Sequence, residues 1–262
     1  MRFCIHRGSN QIGGTCIELE AQGKRLVLDI GLPLDTEPES VTLPEVPGFT
    51  SPDESLVGVV ISHPHLDHYG LAHRLPPQTQ FLIGEAAQRI LEAAMLFTPG
   101  GLMLHNVQHL RHRQPIGLGP FTITPYLVDH SAYDACAILV EADGQRLFYT
   151  GDLRVHGRKA ALVEQLIASP PEGVDVLLME GTTIGRPTSE AGMVSESGIE
   201  DELVGLFEQT RGMPLVWCSG QNIDRIVSVF RAAKRCGRML IMDVSGRLRT
   251  GQGWALHNRP VG

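Results

Sequence analysis

Residues 57–70 read Val-Gly-Val-Val-Ile-Ser-His-Pro-His-Leu-Asp-His-Tyr-Gly. An apolar run closes in a polar block that holds His63, His65, Asp67 and His68 within six positions. The first part has the composition of a buried strand. The second is dense in imidazole and carboxylate, the ligands that a borderline divalent ion such as Zn²⁺ accepts. In a turn at a strand end, alternate side chains point the same way, so His63 and His65 can grip one ion. Asp67 and His68 then project toward a second point, and two ions about 3.5–4 Å apart form the clamp used in hydrolytic displacement. Pro64 restricts the backbone of His63 and stiffens the turn. A closed structural zinc site usually carries cysteines, and the block has none.

Two ions need more ligands than the block supplies, and a hairpin shows where to look. Residues 136–150 read as two strands joined by a tight turn at Asp143-Gly144. A two-residue turn returns Asp152, in Thr150-Gly151-Asp152-Leu153, opposite Ala135. His130, in Val128-Asp129-His130-Ser131, precedes the other strand, so both residues emerge at one end of the hairpin. His130 can complete the first ion's set, and the Asp152 carboxylate can bridge both ions. Asp29 ends the strand-like Leu26-Val27-Leu28. A buried carboxylate needs partners, and a bond that orients the histidine loop would satisfy it.

Strand-like runs occur at 2–6, 15–20, 25–29, 57–62, 79–83, 121–127, 136–141, 145–150, 174–179, 214–218 and 238–243. Helical patterns occupy 84–97, 158–168, 197–210 and 221–236. From about 174 strands alternate with helices, which predicts βα units and a parallel sheet. Residues 17–26 (IELEAQGKRL) and 138–147 (ILVEADGQRL) are identical at six of ten positions, at a constant offset of 121. Both read as strand, tight turn, strand, which predicts two similar β-rich halves packed face to face. Residues 32–55 read as a long surface loop, and 98–120 as another irregular connection. From Ser245 the chain becomes Gly- and Arg-rich without periodicity.

Composition narrows the classes. Apolar residues make up 42%, enough for a real core, and the formal net charge of −7 gives no overall basic field for a passive nucleic-acid binder. No apolar run approaches the roughly 20 residues that span a bilayer, and the N-terminus has no signal-peptide core. The five cysteines are scattered and read as buried reduced thiols. A cytoplasmic location without membrane attachment is expected.

The block Ser62-His63-Pro64-His65-Leu66-Asp67-His68, with the later Val128-Asp129-His130-Ser131 and Thr150-Gly151-Asp152, resembles the metallo-β-lactamase superfamily from Arg2 to about Glu180. The resemblance implies an α/β fold, an αββα sandwich. It implies that His63, His65 and His130 hold one zinc, that Asp67 and His68 hold the other, and that Asp152 bridges. Met179-Glu180-Gly181-Thr182-Thr183-Ile184-Gly185-Arg186 is similar to the acidic-Ser/Thr motif that opens the β-CASP insertion of RNA- and DNA-processing nucleases. Gln221-Asn222-Ile223-Asp224-Arg225 at a helix start fits that insertion. Glu180 would then be a carboxylate beside the metals and a proton shuttle. Residues 1–180 would form the metal-bearing domain, and 181–262 the beginning of an α/β β-CASP domain. Arg186 and the turn Ser219-Gly220-Gln221 are candidate phosphate contacts. The family carries further histidine motifs after the insertion, one of which closes the second metal site. This chain reads as stopping inside the insertion, and His257 matches no motif, so the second site is expected to lack its last ligand.

The expected activity is that of a zinc phosphodiesterase, most like a ribonuclease, acting on RNA or single-stranded DNA. Metal-bound water, its pKa lowered toward about 7, would supply hydroxide. Asp67, Asp152 and Glu180 are the expected catalytic carboxylates, and Mn²⁺ is the alternative metal. Two rivals stay open: a metallo-hydrolase for a thioester, lactone or lactam, and a metal-binding remnant without activity.

Overall fold

The computed structural model describes residues 1–95, 102–185 and 193–242. Strands β1 (Arg2–Arg7), β2 (Cys16–Ala21), β3 (Lys24–Leu28), β4 (Leu56–Val60), β5 (Phe81–Gly84) and β6 (Val107–Leu110) form one sheet in that order. Strands β7 (Ile116–Leu118), β8 (Phe121–Leu127), β9 (Cys136–Ala142), β10 (Gln145–Tyr149) and β11 (Val176–Leu178) form a second, ordered β11-β10-β9-β8-β7. The helices are α1 (Leu66–Tyr69), α2 (Glu85–Ala94), α3 (Ala160–Ala168), α4 (Glu196–Gln209) and α5 (Ile223–Arg235).

Period-2 patterning builds the layers. Ile17, Leu19 and Ala21 on β2, and Ile138, Val140 and Ala142 on β9, face one another in the core between the sheets. Val27, Val59, Ile61 and Ile83 point to the outer face of the first sheet, where Ala87 and Leu91 of α2 cover them. Ala137, Leu139 and Phe148 point to the outer face of the second, against Val163 and Leu166 of α3. The result is the αββα sandwich.

The repeat appears in the topology. β2 and β3 turn at Gln22-Gly23 (φ 51° and 71°), and β9 and β10 at Asp143-Gly144 (φ 53° and 71°). Two consecutive left-handed residues match the turn to the twist of a hairpin. In each sheet the hairpin has an antiparallel neighbour on one side, β1 or β8, and a parallel one on the other, β4 or β11. The tips touch: Gln22 Nε2 donates to Asp143 Oδ1 at 2.8 Å, across 121 positions of chain.

Three expectations need correction. Residues 98–120 were expected to be irregular, yet their described part contains β6 and β7; both are short, and half of β6 is polar, so periodicity alone does not reveal them. The loop 32–55 is not merely superficial, because Val46 and Phe49 are buried in the outer core of the first sheet. Residues 214–218 and 238–242 form no strand among the described residues, where neither has a ladder partner, and Leu215, Trp217 and Ile241 are exposed. The parallel addition after residue 174 therefore stops at β11. α4 and α5 pack on each other through Phe207, Val229, Ala232 and Ala233. Ser195 and Asn222 cap them by accepting from Gly198 N and Arg225 N. Cys16 and Cys136 are buried as expected, while Cys4 is exposed. Arg186, His257 and the irregular end from Ser245 lie outside the described residues.

Candidate metal centre

The polar block leaves β4 at the end of the sandwich and is zipped to the segment that follows β3 and to the residue that precedes β2. Ile30 N donates to His68 O at 2.9 Å, Leu32 N to Leu66 O at 2.9 Å, and Thr15 N to Asp67 O at 3.1 Å. This approach is so close that a Cβ on Gly31 would stand 1.7 Å from the Asp67 carbonyl oxygen. The single turn of α1 then presents Asp67 and His68 together, with His68 buried and Leu66 exposed. His130 arrives after β8, and Asp152 after β10, from the opposite sheet. The hairpin register matches the one read from the sequence, with Tyr149 opposite Ile138.

Six expected ligands converge. His63, His65 and His130 form one group whose ring nitrogens lie within 4.8 Å of one another, and His63, Asp67 and His68 form another. His65 Nδ1 and His130 Nε2 are 3.2 Å apart. Asp67 Oδ2 is 3.6 Å from His68 Nε2. The Asp152 carboxylate is divided between the groups: Oδ1 lies 3.4 Å from His68 Nε2, while Oδ2 lies 4.0 Å from both His63 Nε2 and His130 Nε2. His63 Nε2 is buried without any hydrogen-bond partner. Such an orphan is costly unless something coordinates it, so the donor set fits a divalent ion.

The charge states agree. Burial, then the neighbouring imidazoles, holds His63 well below the usual histidine range. Burial lowers His65 too, and it takes His130 down to about 3 with further help from His65. Neutral imidazole is the form that ligates metal. Burial resists charging His68, but Asp29 and Asp152 outweigh it and raise its pKa to about 10. Burial also resists the Asp152 carboxylate, yet its bond to His68 and the surrounding imidazoles keep it below the ordinary value. A positive charge is thus wanted between His68 and the carboxylates, where an ion would supply it.

Asp29 lies directly behind the histidine block with no exposure to solvent. Its backbone is left-handed (φ 58°), a conformation that Asp tolerates better than most residues. Oδ1 accepts from Ser62 N at 2.7 Å, and Oδ2 accepts from Ser62 Oγ at 2.8 Å and Tyr149 OH at 2.7 Å. His68 Nδ1 stands 2.8 Å from Oδ2. Because a carboxylate only accepts, His68 Nδ1 is protonated here, and Nε2 is the nitrogen that faces Asp67 and Asp152, where an ion would take the place of its proton. Ser62 and Tyr149 had no role in the sequence reading. Tyr149 is invisible there, since it ends β10 as an ordinary aromatic core residue.

Glu180 follows β11, and its Oε1 accepts from Leu153 N at 2.6 Å, next to Asp152. Half-burial, reinforced by the Asp152 charge, raises its carboxyl above the ordinary range. Gln221 was a candidate phosphate contact, but its Nε2 donates to the Pro64 carbonyl at 2.8 Å inside the histidine block.

Comparison with known proteins is consistent with this architecture. Residues 34–199, well over half of the chain, match the β-lactamase superfamily domain. The chain is 28% identical to ribonuclease J of Mycobacterium tuberculosis over 254 residues, covering 91% of the chain and 43% of that protein. It is 22% identical to ribonuclease J of Helicobacter pylori over 242 residues, covering 89% and 35%. An RNase J-like protein of Methanocaldococcus jannaschii is 23% identical over 192 residues, covering 70% and 42%. The chain thus spans less than half the length of these curated relatives. Among solved structures, a protein of unknown function from Enterococcus faecalis V583 superposes with a TM-score of 0.72 at 22% identity, covering 89% of this chain and 66% of that one, and shares the fold.

Proposed function

The chain belongs to the β-lactamase superfamily, and from that footing we propose that it is a metal-dependent hydrolase that cleaves RNA phosphodiesters. The observation that carries the proposal is the Asp152 carboxylate, one oxygen turned to His68 and the other to His63 and His130. A carboxylate shared in this way suits a pair of ions acting on one bond. His63, His65 and His130 would hold the first ion, and Asp67 and His68 the second, with Asp152 between them; zinc is the proposed metal and manganese the alternative. Bound there, such ions would polarise a phosphodiester and lower the pKa of water.

The chain's own groups do the rest. Asp29, through Ser62, Tyr149 and His68, fixes the block from behind so that the ligand atoms are arranged before substrate arrives. Asp67 and Asp152 offer oxygens that bind and orient. Glu180 has a raised carboxyl beside Leu153 and can hold and return a proton at Oε2 while Oε1 stays on the backbone. The likeness to the ribonucleases J supports RNA over thioester, lactone or lactam. We take residues 1–180 as the metal-bearing domain and 181–262 as part of a β-CASP-like one, acting in the cytoplasm. No helix among the described residues is long and apolar enough to cross a membrane.

The test is a panel of RNA, single-stranded DNA, thioester and lactam substrates with added Zn²⁺ or Mn²⁺. Cleavage of RNA that disappears in a folded Asp152→Ala variant is expected. Full RNA cleavage by that variant, or turnover of a small-molecule ester alone, overturns the reading.

A further inference from the structure

The start of α5 is tied to both loops that carry the three-histidine group, directly to one and through Arg154 to the other. Gln221 Nε2 donates to the carbonyl of Pro64, the residue between His63 and His65, at 2.8 Å. Asp224, one turn further on, is 6% exposed and accepts from Arg154 Nη2 at 2.8 Å, Arg158 N at 3.2 Å and Lys159 Nζ at 3.3 Å. Arg154 grips the residue before His130: its backbone N donates to Asp129 O at 2.7 Å, and its Nε donates to Asp129 Oδ1 at 3.3 Å. Asp129 is fully buried, and its Oδ2 accepts from Gly157 N at 2.6 Å. Glu196, at the start of α4, lies 3.8 Å from Arg154 Nη1 and is itself held by Arg225 and Ser228.

We propose that Gln221 and Asp224 are positioning residues that set the affinity of His63, His65 and His130 for their ion. The inference rests on the reading of those histidines as ligands. The ligand atoms sit on loops that leave different sheets, His63 and His65 after β4 and His130 after β8. Metal–ligand distances hold to about 0.2 Å, a tolerance that loose loop ends do not keep by themselves. One rigid helix start, bonded to Pro64 directly and to Asp129 through a buried guanidinium, fixes the spacing between the loops. Replacing Asp224 with Asn removes the nearest of the three carboxylates around Arg154, and the largely buried guanidinium shifts toward the two that remain. Asp129 and His130 then move with it. The Arg235 pairs with Glu200 and Asp201 also join α5 to α4, but Arg235 is exposed and bonds to neither loop.

The experiment titrates the metal-free chain with Zn²⁺ against a chromophoric chelator and records the visible spectrum of the Co²⁺ form. Thermal unfolding of the metal-free variants checks that each is folded. In Gln221→Ala and in Asp224→Asn the first equivalent of metal is expected to bind about tenfold more weakly, the low end for groups behind a ligand, with a changed Co²⁺ band. Asp224→Glu, which keeps the charge, recovers most of the affinity, and Arg235→Met leaves it unchanged. If the parent chain binds metal and the folded Gln221→Ala and Asp224→Asn variants bind within twofold of it, the inference is wrong and the metal reading stands. If the parent chain takes up no metal, the ligand reading fails and takes the inference with it. Should Asp224→Asn not fold, Gln221→Ala alone decides.

Discussion

Replacing Asp29 with Asn tests the orienting network behind the metal centre. Asn suits the left-handed backbone at this position as well as Asp does, so the change is confined to charge and to hydrogen-bond polarity. The amide oxygen can keep the bond from Ser62 N. The amide nitrogen then occupies the place of Oδ2, which now accepts from Ser62 Oγ, Tyr149 OH and His68 Nδ1 at 2.7–2.8 Å. The two hydroxyls can rotate to accept. His68 can accept at Nδ1 only by losing that proton and keeping the one on Nε2, the nitrogen that faces Asp67 and Asp152. Exchanging three charge-assisted bonds for neutral ones costs about 1 kcal/mol each, about 3 kcal/mol in all. The wrong tautomer should weaken the Asp67–His68 side by about 10–100-fold. Denaturant unfolding of the metal-free protein measures the first effect, and chelator competition for the second equivalent of metal measures the other. An Asp29→Asn variant as stable as the parent, with two equivalents bound at parental affinity, would refute the argument.

Tyr149→Phe removes one of the four donors to Asp29 without changing the core volume; a loss of about 1.5 kcal/mol in denaturant unfolding is expected, with both ions still bound. Gly31→Ala forces a methyl against the Asp67 carbonyl and should cost more than about 3 kcal/mol, whereas Gly23→Ala, with open space but a φ of 71°, should cost about 1 kcal/mol; equal losses would remove the steric argument. Glu196 is a buried carboxylate whose bonds from Arg225 and Ser228 outweigh its desolvation and hold it below its ordinary 4.5. A depressed acid contributes stability above 4.5 that is lost as pH falls through the lower folded value. Unfolding midpoints followed downward from about pH 5 should therefore drop less steeply in Glu196→Gln than in the parent.

Much of the site was legible because it is built from short-range rules. A strand followed by histidines, and a two-residue turn that fixes a hairpin register, locate His63, His65, Asp67, His68, His130 and Asp152 with no tertiary information. The buried Asp29 followed from the cost of an unpaired carboxylate. The four longer helices were legible from periodicity and caps, while the single turn of α1 was not. What escaped depends on segments far apart in the chain: Tyr149 reaches Asp29 across 120 positions, and Gln221 reaches Pro64 across 157. A glutamine at a helix start offers several partners, and the local sequence does not single out Pro64 among them. β6 and β7 escaped because three or four residues on a sheet margin carry almost no pattern. The strands expected at 214–218 and 238–243 show the converse, since β-propensity without a ladder partner does not make a strand.

The hairpin tips that meet at Gln22 and Asp143 divide the sandwich into two matching halves, and that division runs through the candidate metal centre. One half contributes His63, His65, Asp67 and His68; the other contributes His130 and Asp152. At the repeat offset Asp29 corresponds to Thr150 and Asp152 to Gly31. The two halves thus differ at matched places: the bracing aspartate of one is matched by a threonine in the other, and the proposed ligand of the second by a glycine in the first. An ion held between them would act as a rivet across the seam, so demetallation should loosen the sliding of one sheet past the other before it melts either sheet.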